Sequence, residues 1–360
     1  MCSRKIEEIR LPQDRNRAQG LRNGALWLLS AVGFIAFSIF GLSLASRFFG
    51  GEIPALDPRL FELSSLAWIG LFLLIYFLAD GLRLYYVLLS LGAQVRFREV
   101  FPLVFVNILF SNVTPLATGG GFAQVWYLQR RGVAVGTSAA ATLIRTILAM
   151  LVIFTAAPLF QLLRPSRAGA GLVDMVIQSL SAFIALYLIG FLIVLLRPQW
   201  LGSVIDGLVG LLARVRLLNL RRRVRWGRAI RREVTEFSEG FGRFRRGPLR
   251  YSLGSAVFTV IFLLTLFAFP ALLMSLLGYE VDWIRVIGTL SIVTFLMYFA
   301  PTPGGAGFSE LAFAALMSGQ IDSPHLLLVI LAWRFLTIYL GMALGLVVSI
   351  FALRQPKAAT

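Results

Sequence analysis

The chain has 360 residues, 58% of them apolar and only 14% charged, with a mean hydropathy of +0.82 and a formal charge of +17. A soluble domain carries roughly one quarter charged residues, so this composition excludes a soluble globular protein and places the chain in a membrane. One cysteine, Cys2, and one histidine, His325, exclude a disulfide framework and a Cys/His metal or catalytic cluster; no cofactor and no nucleic-acid partner is expected.

A helix crosses the hydrocarbon in about 20 residues, so each apolar run of that length is a candidate span. Residues 1–23 form a tail rich in Arg and Lys, followed by a first span at 25–46, which reads as a retained helix rather than a signal peptide. The acidic stretch Glu52, Asp57 and Glu62 precedes a second span at 65–91, where Asp80 and Arg83 sit three apart on one helix face, the spacing of a mutual ion pair. After Arg96 and Arg98, the apolar stretch Phe101 to Leu128 is interrupted at Pro115 to Gly121, and Arg130 and Arg131 follow. Further spans are expected at 134–162, with Arg145 in its middle, and at 172–196. A basic segment at 197–250 leads to a span at 251–277, then Glu280 and Asp282, then a second interrupted stretch, Ile284 to Met317, broken at Pro301 to Gly307. The last span, 326–353, begins beside His325, read as interfacial, carries Arg334, and ends in the short tail 354–360.

Cytoplasmic loops collect Arg and Lys. If Phe101 to Leu128 crossed completely, Arg130, Arg131 and the Arg214 to Arg250 block would all emerge outside. If it enters and returns on the cytoplasmic side, and Ile284 to Met317 does the same from the outer side, every basic cluster lies inside, both termini included. The expected fold is therefore an all-α polytopic membrane protein with six full spans and two re-entrant hairpins, in the bacterial cytoplasmic (inner) membrane.

The two breaks share a pattern at one offset: Pro115, Gly119, Gly121, Phe122 and Gln124 match Pro301, Gly305, Gly307, Phe308 and Glu310. Each broken stretch lies between two spans, the second bearing Arg145 or Arg334, and the units insert from opposite faces. This is an inverted-topology repeat, which in transporters places a site near the bilayer midplane. A short helix is expected to begin near Phe122 and another near Phe308. Helix N-termini attract anions, and Gly119, Gly120, Gly121, Gly305 and Gly307 let a ligand approach the backbone. An arginine inside a membrane is costly unless paired or wetted, which makes Arg145 and Arg334 candidates to hold a phosphate; the bland alternative is that they bond to carbonyls freed at the breaks. Ser309 and Glu310 open the second short helix, where Ser and acids ordinarily cap; Glu310 is also a candidate proton carrier, and Gln124 at the matching position cannot ionise.

Ser111 to Gly121, Tyr127 to Gly132, Pro301 to Glu310 and Trp333 to Thr337 together resemble the transmembrane flippase-like domain of lysylphosphatidylglycerol synthases, over about residues 24–353. The resemblance implies a lipid-translocating domain without the aminoacyl-transferase domain of the full synthases. The chain departs from the family pattern at Gln124 and Leu148, where many relatives carry acids. The expected activity is movement of an anionic phospholipid or polyprenyl-phosphate-type lipid between leaflets. An intramembrane lipid phosphatase and a non-catalytic membrane partner of a separately encoded lipid-modifying enzyme are the alternatives.

Overall fold

Residues 56–114, 117–163, 172–196, 239, 242–300 and 302–354 are described by a computed structural model of the chain. The expected span at 25–46, Pro115, Pro301 and most of the basic segment lie outside the described residues. Among the described residues the chain is all-helical, with no strand. In order, the helices of ten residues or more are α1 (Leu63–Ser90), α2 (Pro102–Val113), α3 (Thr118–Arg130), α4 (Val135–Leu163), α5 (Leu172–Leu196), α6 (Leu249–Leu276), α7 (Trp283–Met297), α8 (Phe308–Met317), α9 (Ser323–Arg334) and α10 (Leu340–Arg354). A π-helical turn, Phe335–Tyr339, joins the last two.

Four helices are long and apolar enough to cross a membrane: α1, residues 135–160 of α4, α6, and the continuous run 323–351 through α9 and α10. They match four of the expected spans, and α5 covers a fifth. The arms of the two interrupted stretches are shorter, at 12 and 13 residues for α2 and α3 and 15 and 10 for α7 and α8. At 1.5 Å per residue none of these arms alone reaches across a hydrocarbon core about 30 Å thick. α3 folds back along α2: Thr114 meets Gly119, Ser111 lies against Gly120, and Asn107 bonds Gln124.

With lipid as solvent, helices associate through close packing, and small residues set how close they come. The longest interface joins α1 to α6, where Tyr76 stacks on Phe262 at 5.0 Å and Tyr86 on Phe258 at 5.5 Å. Two further interfaces mirror each other: α10 lies along α2, and α4 lies along α7. Gly341 and Gly345 bring α10 against Ile108 and the Phe105 carbonyl, while Gly288 of α7 receives Phe160 of α4, whose Cβ and Cγ an added methyl would meet at 3.0 Å and 3.7 Å.

The charges sort to two ends. Phe244, Val133, Tyr127 and Leu128 pack with Leu88 and Val100, gathering Arg96, Arg98, Arg130, Arg131, Arg243, Arg245 and Arg246 at one end. At the other end Arg59 bonds the Leu277 carbonyl, the Tyr279 hydroxyl donates to Asp322 at 2.8 Å and meets His325 at 2.6 Å, and His325 lies 3.4 Å from Asp57. Hydrogen bonds from the Arg59 side chain hold the Asp57 carboxyl down at about 2, so Asp57 stays ionised under ordinary conditions.

Candidate functional site

Asp80 lies on the buried face of α1, one turn before Arg83, and α4 brings Arg145 to the same carboxylate. Arg145 Nη2 donates to both Asp80 oxygens at 2.6 and 2.7 Å, and Arg83 Nε donates to Oδ1 at 2.6 Å. One carboxylate thus holds two guanidiniums, and the cluster carries a surplus positive charge. The Arg83 guanidinium also lies 4.0 Å over the Phe262 ring of α6. Tyr298, at the end of α7 just before the second break, lies in the electrostatic field of both arginines. The sequence pattern pairs Asp80 with Arg83; Arg145 as a third member, 65 residues away, carries no local signal.

Arg334 has a partner within its own half. Its Nε donates to Glu310 Oε1 at 2.8 Å, and its Nη2 lies 3.4 Å from the Gly304 carbonyl. This arginine therefore reaches a carbonyl at the break, as in the alternative reading, and also holds an acid that the sequence pattern did not pair with it. Ser309 does not cap α8; its hydroxyl donates to Glu310 Oε2 at 2.7 Å, and the cap position belongs to Gly307 at φ 81°. Gly304 and Gly305 also have positive φ, at 57° and 64°, so the second break needs glycine for its conformation.

The first break is built differently. α3 starts at Thr118, a full turn before the expected Phe122, so Gly119, Gly120 and Gly121 lie inside the helix rather than in a turn. The left-handed position is taken by Ala117 at φ 54°, the one non-glycine with positive φ among the described residues. Thr114 closes this break: its hydroxyl donates to the Phe110 carbonyl at 2.7 Å and accepts from the Gly119 amide at 2.8 Å. That hydroxyl satisfies one of the amides that a helix start leaves without an intrahelical partner. A Cβ on Gly120 would run into Ser111, and one on Gly119 would lie 2.6 Å from Thr114 Cγ2, so these two glycines serve close contact between α2 and α3. Gly121 has room, with Thr142 Cγ2 at 3.6 Å. Gln124 donates to Asn107 and accepts from Thr142 at 3.5 Å, giving an uncharged amide network where the second half has Glu310 and Arg334. Asn107 and Thr142 were not singled out by the sequence pattern, although an Asn in an apolar stretch is itself a signal.

Arg145 and Arg334 are thus each paired with an acid, Asp80 and Glu310. One is in the field of the second break's entry at Tyr298, and the other is bound at its exit at Gly304. Both are buried, Arg145 at 4% exposure and Arg334 at 2%, with Arg83 at 6%. Each keeps guanidinium nitrogens without a hydrogen-bond partner: Arg83 Nη1, Arg145 Nε and Nη1, and Arg334 Nη1. Buried donors normally find acceptors, and leaving one unpaired costs about 1–3 kcal/mol, more when charged. Such donors, beside a surplus positive charge, are suited to an anion with oxygen acceptors.

The sequence profile of a family described as the lysylphosphatidylglycerol synthase TM region matches residues 27–345. A UPF0104 membrane protein of Archaeoglobus fulgidus is 26% identical over 283 residues, which cover 78% of this chain and 84% of that protein.

Proposed function

We propose that this chain, which belongs to the family of the lysylphosphatidylglycerol synthase transmembrane region, moves a lipid with an anionic phosphate headgroup between the two leaflets of its membrane. The observation that carries this reading is the buried Asp80, Arg83 and Arg145 cluster, with its surplus charge and unpartnered donors. A protein that only needed a structural clamp would balance this charge, because an uncompensated ion in a low-dielectric interior costs several kcal/mol. The reciprocal packing of α10 on α2 and α7 on α4 supports an inverted repeat, and the short arms support two re-entrant hairpins. In that arrangement the headgroup passes along the bundle while the acyl chains remain in lipid. Glu310 and Ser309 share a hydrogen bond, but Arg334 occupies the other Glu310 oxygen, which makes the carboxylate a poor base for hydrolysis. Transport without release of phosphate is therefore expected.

Purified protein in vesicles carrying fluorescently labelled phosphatidylglycerol should speed its exchange between leaflets over protein-free vesicles. Arg145→Gln, which leaves Arg83 on Asp80, should return exchange to the protein-free rate. Wild-type exchange no faster than in empty vesicles, or phosphate released into the medium, would count against this function.

A further inference from the structure

Resting on the translocation reading of the same cluster, we infer that the headgroup this chain accepts is a phosphodiester monoanion, and that phosphomonoester and pyrophosphate lipids are rejected on charge. Asp80, Arg83, Arg145, Glu310 and Arg334 are the buried charged side chains among the described residues. Glu310 balances Arg334 at 2.8 Å. Asp80 balances one of its two arginines and leaves the other, so the cluster lacks a single negative charge. A phosphodiester brings that single charge, and binding it makes the buried site neutral. A phosphomonoester is close to doubly charged above its second pKa of about 6, and would turn an excess of one positive charge into an excess of one negative charge. Pyrophosphate esters are worse. No further buried cation stands among the described residues to offset them, and an unbalanced charge away from water is strongly disfavoured whichever its sign.

The donors fit the same ligand. Arg83 and Arg145 both donate to Asp80 Oδ1, and Arg83 Nη1 with Arg145 Nε and Nη1 are left without an acceptor. The two free oxygens of a diester can accept from all three, as a carboxylate does from a guanidinium fork. Arg83 is the specificity-determining residue in this account. Arg145 grips both oxygens of Asp80, whereas Arg83 supplies the charge that Asp80 leaves over. The Phe262 ring beneath Arg83 offers it no negative partner of full charge.

The test compares short-chain phosphatidylglycerol with short-chain phosphatidic acid, by calorimetric titration of the purified protein in a neutral detergent at about pH 8, where the monoester is close to doubly charged. The diester should bind at least about tenfold more tightly in the wild type. Arg83→Lys, which keeps the charge and loses the fork, should keep that order of preference, and Arg83→Gln should weaken the diester by about tenfold or more. Phosphatidic acid binding as tightly as phosphatidylglycerol in the wild type overturns the charge rule even if neither variant folds. Arg83→Lys weakening the diester as much as Arg83→Gln does overturns the assignment to charge. Glycerophosphoglycerol, the same headgroup without acyl chains, should bind far more weakly; equal binding would mean a free-anion site and would overturn the lipid assignment. If neither lipid binds, the translocation reading fails as well.

Discussion

Asp80 is the residue on which the buried charges depend, because two guanidiniums donate to it at once. Removing one partner of a buried ion pair typically costs 3–5 kcal/mol, mostly through the charge left behind. Asp80→Ala strands two cations and should lower the thermal midpoint of the detergent-purified protein sharply. Adding Arg83→Met to Asp80→Ala removes one stranded cation and should recover part of the loss; identical midpoints for the single and double variants would show that Arg83 does not feel Asp80. At this scale the sequence was informative in a limited way. Arg145 and Arg334 stand out as charges in apolar runs, and Asp80 and Arg83 as neighbours on one face. Which acid meets which arginine was not legible, since Asp80 and Arg145 are 65 residues apart and Glu310 and Arg334 are 24. Only the packing of α4 on α1, and of α9 on α8, decides those pairs.

Elements show the same division. Long apolar runs between charges gave α1, α4, α6 and the α9 to α10 run to within a few residues, because spanning length and hydropathy are strong constraints. The interior of each broken stretch was less legible. Three consecutive glycines read as a break, yet contact with α2 holds them helical, tertiary packing overriding a weak propensity. The π turn after Arg334 also has no local signature. Identical-looking glycines consequently differ in what they tolerate. Gly120→Ala drives a methyl into Ser111 and sets it 2.6 Å from Asn107 Oδ1, an overpacking that should cost about 1–3 kcal/mol. Gly121→Ala meets Thr142 at an ordinary 3.6 Å and should be neutral or stabilise by up to about 1 kcal/mol, through helix propensity. Gly307→Ala, at φ 81°, should lose about 1–2 kcal/mol to backbone strain. Thermal midpoints of the three variants give the order directly; a Gly121→Ala variant as damaged as Gly120→Ala would contradict the packing of α3 on α2.

Over the whole molecule, the orientation follows from where the fold carries its charges. The α2 and α3 hairpin returns Arg130 and Arg131 to the end that holds Arg96 and Arg98, and the approach to α6 adds Arg243, Arg245 and Arg246 there. Had α2 and α3 formed one crossing, those two groups of arginines would lie on opposite faces. The far end instead collects Asp57, Glu62, Glu280, Asp282 and Asp322, with Arg59 and Arg285 as its bases and His325 tied to Tyr279. Short loops rich in Arg and Lys stay cytoplasmic, so the arginine end should face the cytoplasm and the acidic end the outside. The replacements Arg98→Cys, Arg130→Cys and Arg246→Cys, made one at a time on a Cys2→Ser background, should escape a membrane-impermeant thiol reagent applied to intact cells and react once the cells are broken. Glu62→Cys and Glu280→Cys should react in intact cells. The decisive position is Arg130, because it directly follows the stretch in question: labelling of Arg130→Cys from outside while Arg98→Cys stays protected would mean that the stretch from Phe101 to Leu128 passes through the membrane, and the inverted repeat would lose its first half.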